Sequence, residues 1–249
     1  MVQFMNCQIE VWMTQNKYLH RCKRFLMKCR REVYGARRFI PGLSERHKME
    51  KMVGPLGFWD QLQQYQLNVL KRHGMQSYHS LLDIGCGPLQ GGVAFIRYLD
   101  RGNYTGVDID PEKLEVAYLQ VQRNSLAHKN PLLIQSGSFG EDELGKKTFD
   151  FIWVSQMMYY LDESKLTALL EYGRDCLHDN GIFLCDIIGP EHYECSTNEH
   201  GWYVYTLESF SQIAEKCGLS VTDEGEIEKY GYPSRLSLKT NHLQSLQKN

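Results

Sequence analysis

The chain has 249 residues, of which 42% are hydrophobic and 23% are charged, and its formal net charge is −2. This composition is ordinary for a soluble folded protein. No run of about 18 apolar residues occurs, so no membrane-spanning helix is predicted. The first residues lack the pattern of a secretory signal. The eight cysteines include no C-x-x-C pair, so we expect free thiols in a reduced, cytoplasmic chain with no structural zinc site.

The charges are unevenly distributed. Residues 1–51 contain twelve Lys and Arg against four Glu, and the rest of the chain contains 16 basic and 26 acidic residues. Residues 12–34 are predicted to form a basic amphipathic helix, because apolar residues recur there at three- and four-residue steps. The polar segment Arg46–Lys51 is interpreted as a linker. We therefore expect a basic helical extension over residues 1–54 and the main domain over residues 55–249.

Three interpretations of the basic segment at residues 12–38 remain open. It fits a lid over a ligand cleft, with its apolar stripe facing the cleft and its charged face in solvent. We favour this interpretation because charged helix faces are most often solvated. It also fits a helix lying on a membrane surface, with Trp12, Leu19 and Phe25 among acyl chains. As a third alternative, its cations contact the phosphates of a nucleic acid.

From residue 55 onward, helix and strand patterns alternate. Helices are predicted at Pro55–His73, Gly91–Leu99, Pro111–Leu126, Lys165–Cys176 and Leu207–Cys217. Strands are predicted at Ser80–Ile84, Tyr104–Asp108, Leu132–Gln135, Phe149–Val154, Ile182–Ile187, Leu219–Thr222 and Arg235–Lys239. Because strands separated by helices need crossover connections, we expect a doubly wound α/β fold with a mostly parallel, seven-stranded sheet.

The most specific motif is a glycine-rich turn between a strand and a helix. The apolar strand ends in Asp83, and Gly85-Cys86-Gly87 then leads into the next helix. Glycines allow the backbone to approach a ligand closely, and the amides at the helix start face the turn. The carboxylate of Asp83 suits a ligand ammonium and repels a pyrophosphate.

A second carboxylate follows at a defined distance. Asp108 ends the next apolar strand, 21 residues after Gly87. A carboxylate in this position can accept hydrogen bonds from both hydroxyls of a ribose. A NAD-binding turn and a plain tight connection are the alternatives, but a dinucleotide site calls for a third glycine and no acid at position 83.

These two motifs resemble the cofactor site of class I S-adenosylmethionine-dependent methyltransferases, and the similarity spans residues 76–240. The resemblance implies a Rossmann-like methyltransferase fold, methyl-transfer activity and S-adenosyl-L-methionine as the cofactor. Two departures stand out: Leu89 occupies the place of the family's third glycine, and the adenine loop lacks the family's frequent acid. By the resemblance, the residues that contact the cofactor are Asp83, Gly85, Cys86, Gly87, Asp108, Ile109, Ser138, Phe139 and Ser155.

The methyl acceptor is expected beyond the carboxyl ends of the fourth and fifth strands. The segment Ser155–Tyr160 is not the Asn/Asp-Pro-Pro-Tyr signature that resembles enzymes acting on nucleobases or glutamine side chains. This favours a small-molecule acceptor methylated on oxygen or nitrogen and argues against a nucleic-acid substrate. A protein or RNA methyltransferase that uses the basic segment, and a cofactor-binding partner protein without turnover, are the alternatives.

A general base assists when the acceptor is a hydroxyl or a protonated amine. His192 and His200 belong to a long insertion at residues 189–205 that suits a substrate lid, although such histidines also occur simply solvated on a covering loop. Asp186 and Tyr160 are comparable candidates. The residues around Gln156 and Asp179 do not support a paired-carboxylate metal site.

Overall fold

The computed structural model describes residues 43–188, 203–234, 236 and 241–249. The chain divides into two units, Met1–Gly57 and Phe58–Asn249. None of the helices in the described ranges has both the length and the apolar character needed to cross a membrane.

In the first unit, helix α1 spans Leu43–Val53. Glu45 in its first turn and Lys51 in its last turn complement the helix dipole. The carboxylate of Glu50 accepts a hydrogen bond from the backbone nitrogen of Gly57 at 3.0 Å. The interpretation of residues 46–51 as a linker is therefore wrong, because these polar residues lie within a helix. The basic helix predicted at residues 12–34 lies outside the described residues.

The second unit alternates strands and helices, as predicted. Its helices are α2 (Trp59–Arg72), α3 (Gly92–Tyr98), α4 (Pro111–Arg123), α5 (Glu141–Leu144), α6 (Glu163–Cys176) and α7 (Leu207–Lys216). Its strands are β1 (Leu81–Ile84), β2 (Tyr104–Asp108), β3 (Leu132–Gln135), β4 (Phe149–Val154), β5 (Leu177–Ile188), β6 (Leu219–Glu226) and β7 (Asn241–Lys248).

These strands form one seven-stranded sheet in the order β3-β2-β1-β4-β5-β7-β6. The pairs among β1 to β5 are parallel, and β7 is antiparallel to both β5 and β6. The doubly wound, mostly parallel α/β sheet is thus confirmed. The chain moves outward from β1 through β2 to β3 and then resumes on the other side of β1 with β4. Ligands bind outside the carboxyl ends of the strands at such a switch point.

Helices cover both faces of the sheet. One apolar cluster joins α2, α3 and α4 to the sheet, with members such as Tyr65, Phe95 and Leu114. The other joins α6 and α7 to the opposite face, through Leu169 and Phe210 among others. A sheet covered on both faces explains why every residue of β1 and β2 is buried. The cysteines that the structure describes, Cys86, Cys176, Cys185 and Cys217, are free and buried, as expected.

Several element boundaries differ from the predictions, and two of the differences have a clear cause. The seventh strand was predicted at residues 235–239. This prediction is wrong at Leu236, which lies in a turn, and the strand begins at Asn241. Its apolar pattern is weak because buried positions carry Asn241 and Gln244. Strand β5, predicted at Ile182–Ile187, begins already at Leu177, and a register shift against β4 accommodates the extra residues.

Candidate functional site

The turn after β1 is built from residues with positive φ angles. Gly85 and Gly87 have φ values of 77° and 52°. Leu89, in the place of the family's third glycine, also has a positive φ of 62°, and its side chain is buried. A Cβ atom at Gly92 would lie 2.5 Å from Leu89 Cδ2. The turn therefore keeps a left-handed conformation at Leu89, and the lack of a side chain at Gly92 makes room for the leucine.

Asp83 is a buried carboxylate below this turn. Its Oδ2 accepts a hydrogen bond from the Tyr104 hydroxyl at 2.7 Å. Burial raises the pKa of Asp83 to about 7; the Tyr104 hydrogen bond acts in the opposite direction, and the charge of Asp108 adds to the increase. Ideal Cβ atoms at Gly92 and Gly106 would approach the Tyr104 hydroxyl to 2.6 and 2.9 Å. Both glycines therefore leave space for this hydroxyl, which the sequence analysis did not single out.

Asp108 connects β2 to the glycine turn. Its Oδ2 accepts a hydrogen bond from the backbone nitrogen of Gly87 at 2.8 Å, and its Oδ1 accepts one from the backbone nitrogen of Asp110 at 2.9 Å. Asp110 in turn caps α4 by accepting from Glu112. The carboxylate is buried, yet each oxygen keeps a second lone pair for a ligand hydroxyl.

The neighbouring loop after β3 is held by the buried Ser136. Its Oγ accepts hydrogen bonds from the backbone nitrogens of Ser138 and Gly140 at 3.2 and 3.1 Å. Phe139 has a φ of 59° and packs against the core cluster. Ile109 is 70% exposed, which is unusual for an isoleucine that follows a fully buried strand.

On the other side of β1, Asp186 of β5 forms hydrogen bonds with the loop that follows β4. Its carboxylate accepts hydrogen bonds from the Gln156 backbone nitrogen at 2.8 Å, from the Gln156 side-chain amide and from the Ser155 hydroxyl. Burial raises the pKa of Asp186 to about 6, against the effect of these hydrogen bonds. Gln156 has a φ of 55°, and its Oε1 accepts a hydrogen bond from Tyr232 at 3.3 Å.

Aromatic side chains surround this carboxylate. The Tyr65 ring meets the Tyr232 ring edge-on, with 5.1 Å between centroids, and the Trp153 ring at 6.5 Å. The charge of Asp186 contributes to a raised pKa at Tyr65, Tyr159 and Tyr232, so all three hydroxyls lie within its electrostatic reach. Tyr65 and Tyr232 were not predicted from the sequence, although Tyr65 shares the buried face of α2.

Met157 connects the two halves of the site. An ideal Cβ atom at Gly85 would lie 2.9 Å from Met157 Sδ. The loop after β4 therefore packs directly against the glycine turn after β1. The methionine therefore packs between the two halves of the site.

The predicted catalytic residues fall into two groups. His192 and His200 lie outside the described residues. Asp186 is fully buried, whereas Tyr160 is 58% exposed and stacks at a tilt on Tyr159. Among the predicted cofactor residues, Cys86 has a buried thiol that lies 3.0 Å from an ideal Cβ atom at Gly106 and 3.8 Å from the Gly87 carbonyl oxygen.

A separate cavity of about 550 Å³ lies at the amino ends of the strands. It is lined by His73, His79, Asp150, His178 and Asp179 among others. It is distant from the glycine turn, because Asp150 and His178 lie near the amino ends of β4 and β5. Within the described part of the chain, no three His, Cys, Asp or Glu residues are arranged to hold a metal ion.

Comparisons with known proteins agree with this geometry. A family model described as "Methyltransferase domain" matches residues 82–183. No curated protein sequence matches the chain.

Several solved structures share the fold. An S-adenosylmethionine-dependent methyltransferase from Clostridium acetobutylicum superposes with a TM-score of 0.61 at 12% identity, over 83% of this chain and 98% of that one. Magnesium protoporphyrin IX methyltransferase from Synechocystis PCC 6803 with bound SAH gives 0.61 at 12% identity, over 85% and 97%. A glycopeptide N-methyltransferase complexed with sinefungin gives 0.58 at 14% identity, over 75% and 94%.

Residues 82–183 therefore match a methyltransferase domain, and the doubly wound fold is the one found in the solved S-adenosylmethionine-dependent methyltransferases. The cofactor that this likeness implies is S-adenosyl-L-methionine. The side chains present fit this cofactor. Asp83 is a buried carboxylate of the kind that suits an ammonium, Asp108 keeps lone pairs for hydroxyls, and the exposed Ile109 follows Asp108 in the chain.

Proposed function

We propose that this methyltransferase transfers the methyl group of S-adenosylmethionine to an oxygen or nitrogen atom of a small molecule. The sulfonium supplies an activated methyl group, so the protein's main task is to align the acceptor. The observation that carries the proposal is the burial of the polar groups at the carboxyl ends of β4 and β5. Asp186 is 0% exposed and is enclosed by Gln156 and tyrosines. A polymeric acceptor needs an open groove along the protein surface. An enclosed polar site instead suits a small acceptor that enters it completely.

The same proposal assigns the cofactor contacts. Asp83 pairs with the ammonium of the methionine moiety, and the glycine turn lies along that moiety. Asp108 accepts hydrogen bonds from the ribose hydroxyls, and Ile109 packs against the adenine ring. The remaining assigned contacts are the turn residues Gly85, Cys86 and Gly87, the adenine-loop residues Ser138 and Phe139, and Ser155 near the methyl group.

The proposal also treats the candidates for a general base differently. Each oxygen of Asp186 already accepts a hydrogen bond from Gln156, which favours a binding and positioning role over proton abstraction. Tyr160 is 58% exposed, which favours a solvated side chain over a base held in the enclosed polar site. A catalytic role for His192 or His200 stays a prediction.

A radiolabel-transfer experiment tests the proposal. The purified protein is incubated with tritiated S-adenosylmethionine and a cell extract that has been separated into small molecules, RNA and protein. We expect label in the small-molecule fraction. Label confined to RNA or protein would contradict the small-molecule acceptor, and cofactor binding without transfer to any fraction would support a partner protein without turnover.

A further inference from the structure

Two buried polar atoms near Asp186 lack a hydrogen-bond partner among the described residues. They are the hydroxyl of Tyr65, which is 1% exposed, and Oδ1 of Asn241, which is 3% exposed. Buried polar groups in folded proteins are almost always paired, and each exception calls for an explanation such as an absent ligand. The two residues come from distant parts of the sequence and from different elements, α2 and β7.

The sheet register places both atoms on the same face as Asp186. Asp186 pairs with Leu243, and Ile188 pairs with Asn241. Paired residues share a face, and residues two apart on a strand do so as well, so Asn241 lies beside Asp186 and nearer the carboxyl end of β5. Tyr65 packs onto this same face, because it belongs to the apolar cluster that contains Leu243.

Asp186 itself has no cationic partner in the described part of the chain. Its hydrogen-bond donors among the described residues are neutral: two come from Gln156, one from Ser155 and one from its own backbone. A fully buried carboxylate without a counter-charge is costly, since its hydration is lost without an attractive replacement. The raised pKa of Asp186 has the same cause.

We propose that this face is the acceptor-binding site and that it selects a small molecule carrying a protonated amine, with the ammonium held by Asp186, Asn241 and Tyr65. This inference depends on the small-molecule function proposed above. An ammonium has three donors and no acceptor, which matches a carboxylate, an amide oxygen and a phenol oxygen. The surrounding tyrosine rings add a cation–π attraction. A neutral hydroxyl in the same place leaves the carboxylate uncompensated, and an anion is repelled.

Paired probes test the selection. The protein is first saturated with S-adenosylhomocysteine, and this binding is measured by calorimetry. It is then titrated with 2-phenylethylamine and, separately, with 2-phenylethanol, which has the same shape without the charge. We expect the amine to bind at least about tenfold more tightly, which corresponds to about 1.4 kcal/mol. Equal binding of the two probes, or binding of neither, would overturn the inference.

Two variants locate the effect. Asp186→Asn removes the charge and is expected to abolish the preference for the amine. Tyr65→Phe removes only the unpaired hydroxyl, so we expect an unchanged or higher melting temperature together with a several-fold weaker affinity for 2-phenylethylamine. Tyr172→Phe is the matched control, because it removes a buried tyrosine hydroxyl from the cluster on the opposite face, and we expect wild-type binding of both probes.

The outcomes separate the two proposals. A lower melting temperature for Tyr65→Phe with an intact amine preference would mean that the hydroxyl is only structural, and the inference would fail. Methyl transfer to neutral small molecules alone would also overturn it while the proposed function stands. Label found only in protein or RNA would remove the proposed function itself.

Discussion

At the scale of single residues, the site depends on carboxylates held out of water. Asp83 is buried at the end of β1 with the Tyr104 hydroxyl as its hydrogen-bond partner. Its pKa of about 7 means that the folded protein keeps a proton that the unfolded chain has already released. The charged form of Asp83 therefore destabilises the folded protein until a ligand cation stabilises that form.

The variant Asp83→Asn tests this cost. The folded pKa of Asp83 lies above its ordinary value of 3.8, so its contribution to stability is complete below about pH 4 and is lost as the pH rises through 7. The asparagine variant has no such loss. We expect its free energy of unfolding, relative to wild type, to rise by a few kcal/mol between pH 5 and pH 8, since each pKa unit is worth about 1.4 kcal/mol. Urea unfolding at both pH values measures the difference, and parallel pH profiles for the two proteins would count against the raised pKa.

Gly85 is a second residue whose identity the site requires. Alanine at this position meets both a strained φ of 77° and Met157 Sδ, 2.9 Å from the ideal Cβ atom. Gly102→Ala is the matched control, because its φ of 84° is similar and nothing lies within 4 Å of the Cβ position. We expect Gly102→Ala to cost about 1 kcal/mol, and Gly85→Ala to cost about 1–3 kcal/mol more and to weaken cofactor binding.

Thermal unfolding and calorimetry with S-adenosylhomocysteine measure both effects. Adding Met157→Ala to Gly85→Ala should recover part of the stability by removing the collision. Equal costs for the two alanine variants would show that the contact with Met157 is unimportant.

At the scale of elements, α2 holds the two halves of the site through one glutamine. The Oε1 of Gln66 accepts a hydrogen bond from the Trp153 indole at 3.0 Å, and its amide donates to Gln90 Oε1 at 3.3 Å. Gly91 has no side chain where a Cβ atom would collide with Gln66. A helix, a central strand and the glycine loop are therefore fixed by one buried polar side chain.

Replacement of Gln66 by Met tests this connection. The variant leaves the buried Trp153 indole without an acceptor, so we expect a loss of about 1–3 kcal/mol in the free energy of unfolding and a changed tryptophan emission. Gln64→Met is the control, because Gln64 is exposed on the same helix and bonds only Asn68. Similar losses in the two variants would contradict a role for the buried network.

Most elements could be predicted from the sequence, and the errors have physical causes. Strands β2, β3 and β4 begin and end as predicted, since each is a short apolar run bounded by polar or turn residues. Strand β7 was misplaced because its buried positions include polar residues, which hide the apolar period. Helix α1 was missed because most of its residues are polar, so its apolar residues show no clear helical period.

At the scale of the whole second unit, the sheet order divides the site into two sides. The side formed by β1, β2 and β3 was predictable, because its glycine turn and two acids belong to a local motif of about 30 residues. The side formed by β4, β5 and β7 was not, because Tyr65, Asp186, Tyr232 and Asn241 are brought together only by the antiparallel insertion of β7. Asp186 was among the candidates, but its neighbours had no signal in the sequence.

The central claim is that the carboxylates of β1 and β2 bind S-adenosylmethionine. The most direct measurement is calorimetric titration of S-adenosylmethionine into the wild-type protein and into Asp108→Ala, with circular dichroism as a check on the fold. Asp108 holds the Gly87 nitrogen and is assigned to the ribose, so its loss removes both the turn contact and the hydroxyl acceptor. We predict clear binding to wild type and no detectable binding to the variant, with unchanged dichroism. Wild-type affinity in the variant, or no heat with the wild-type protein, would contradict the account.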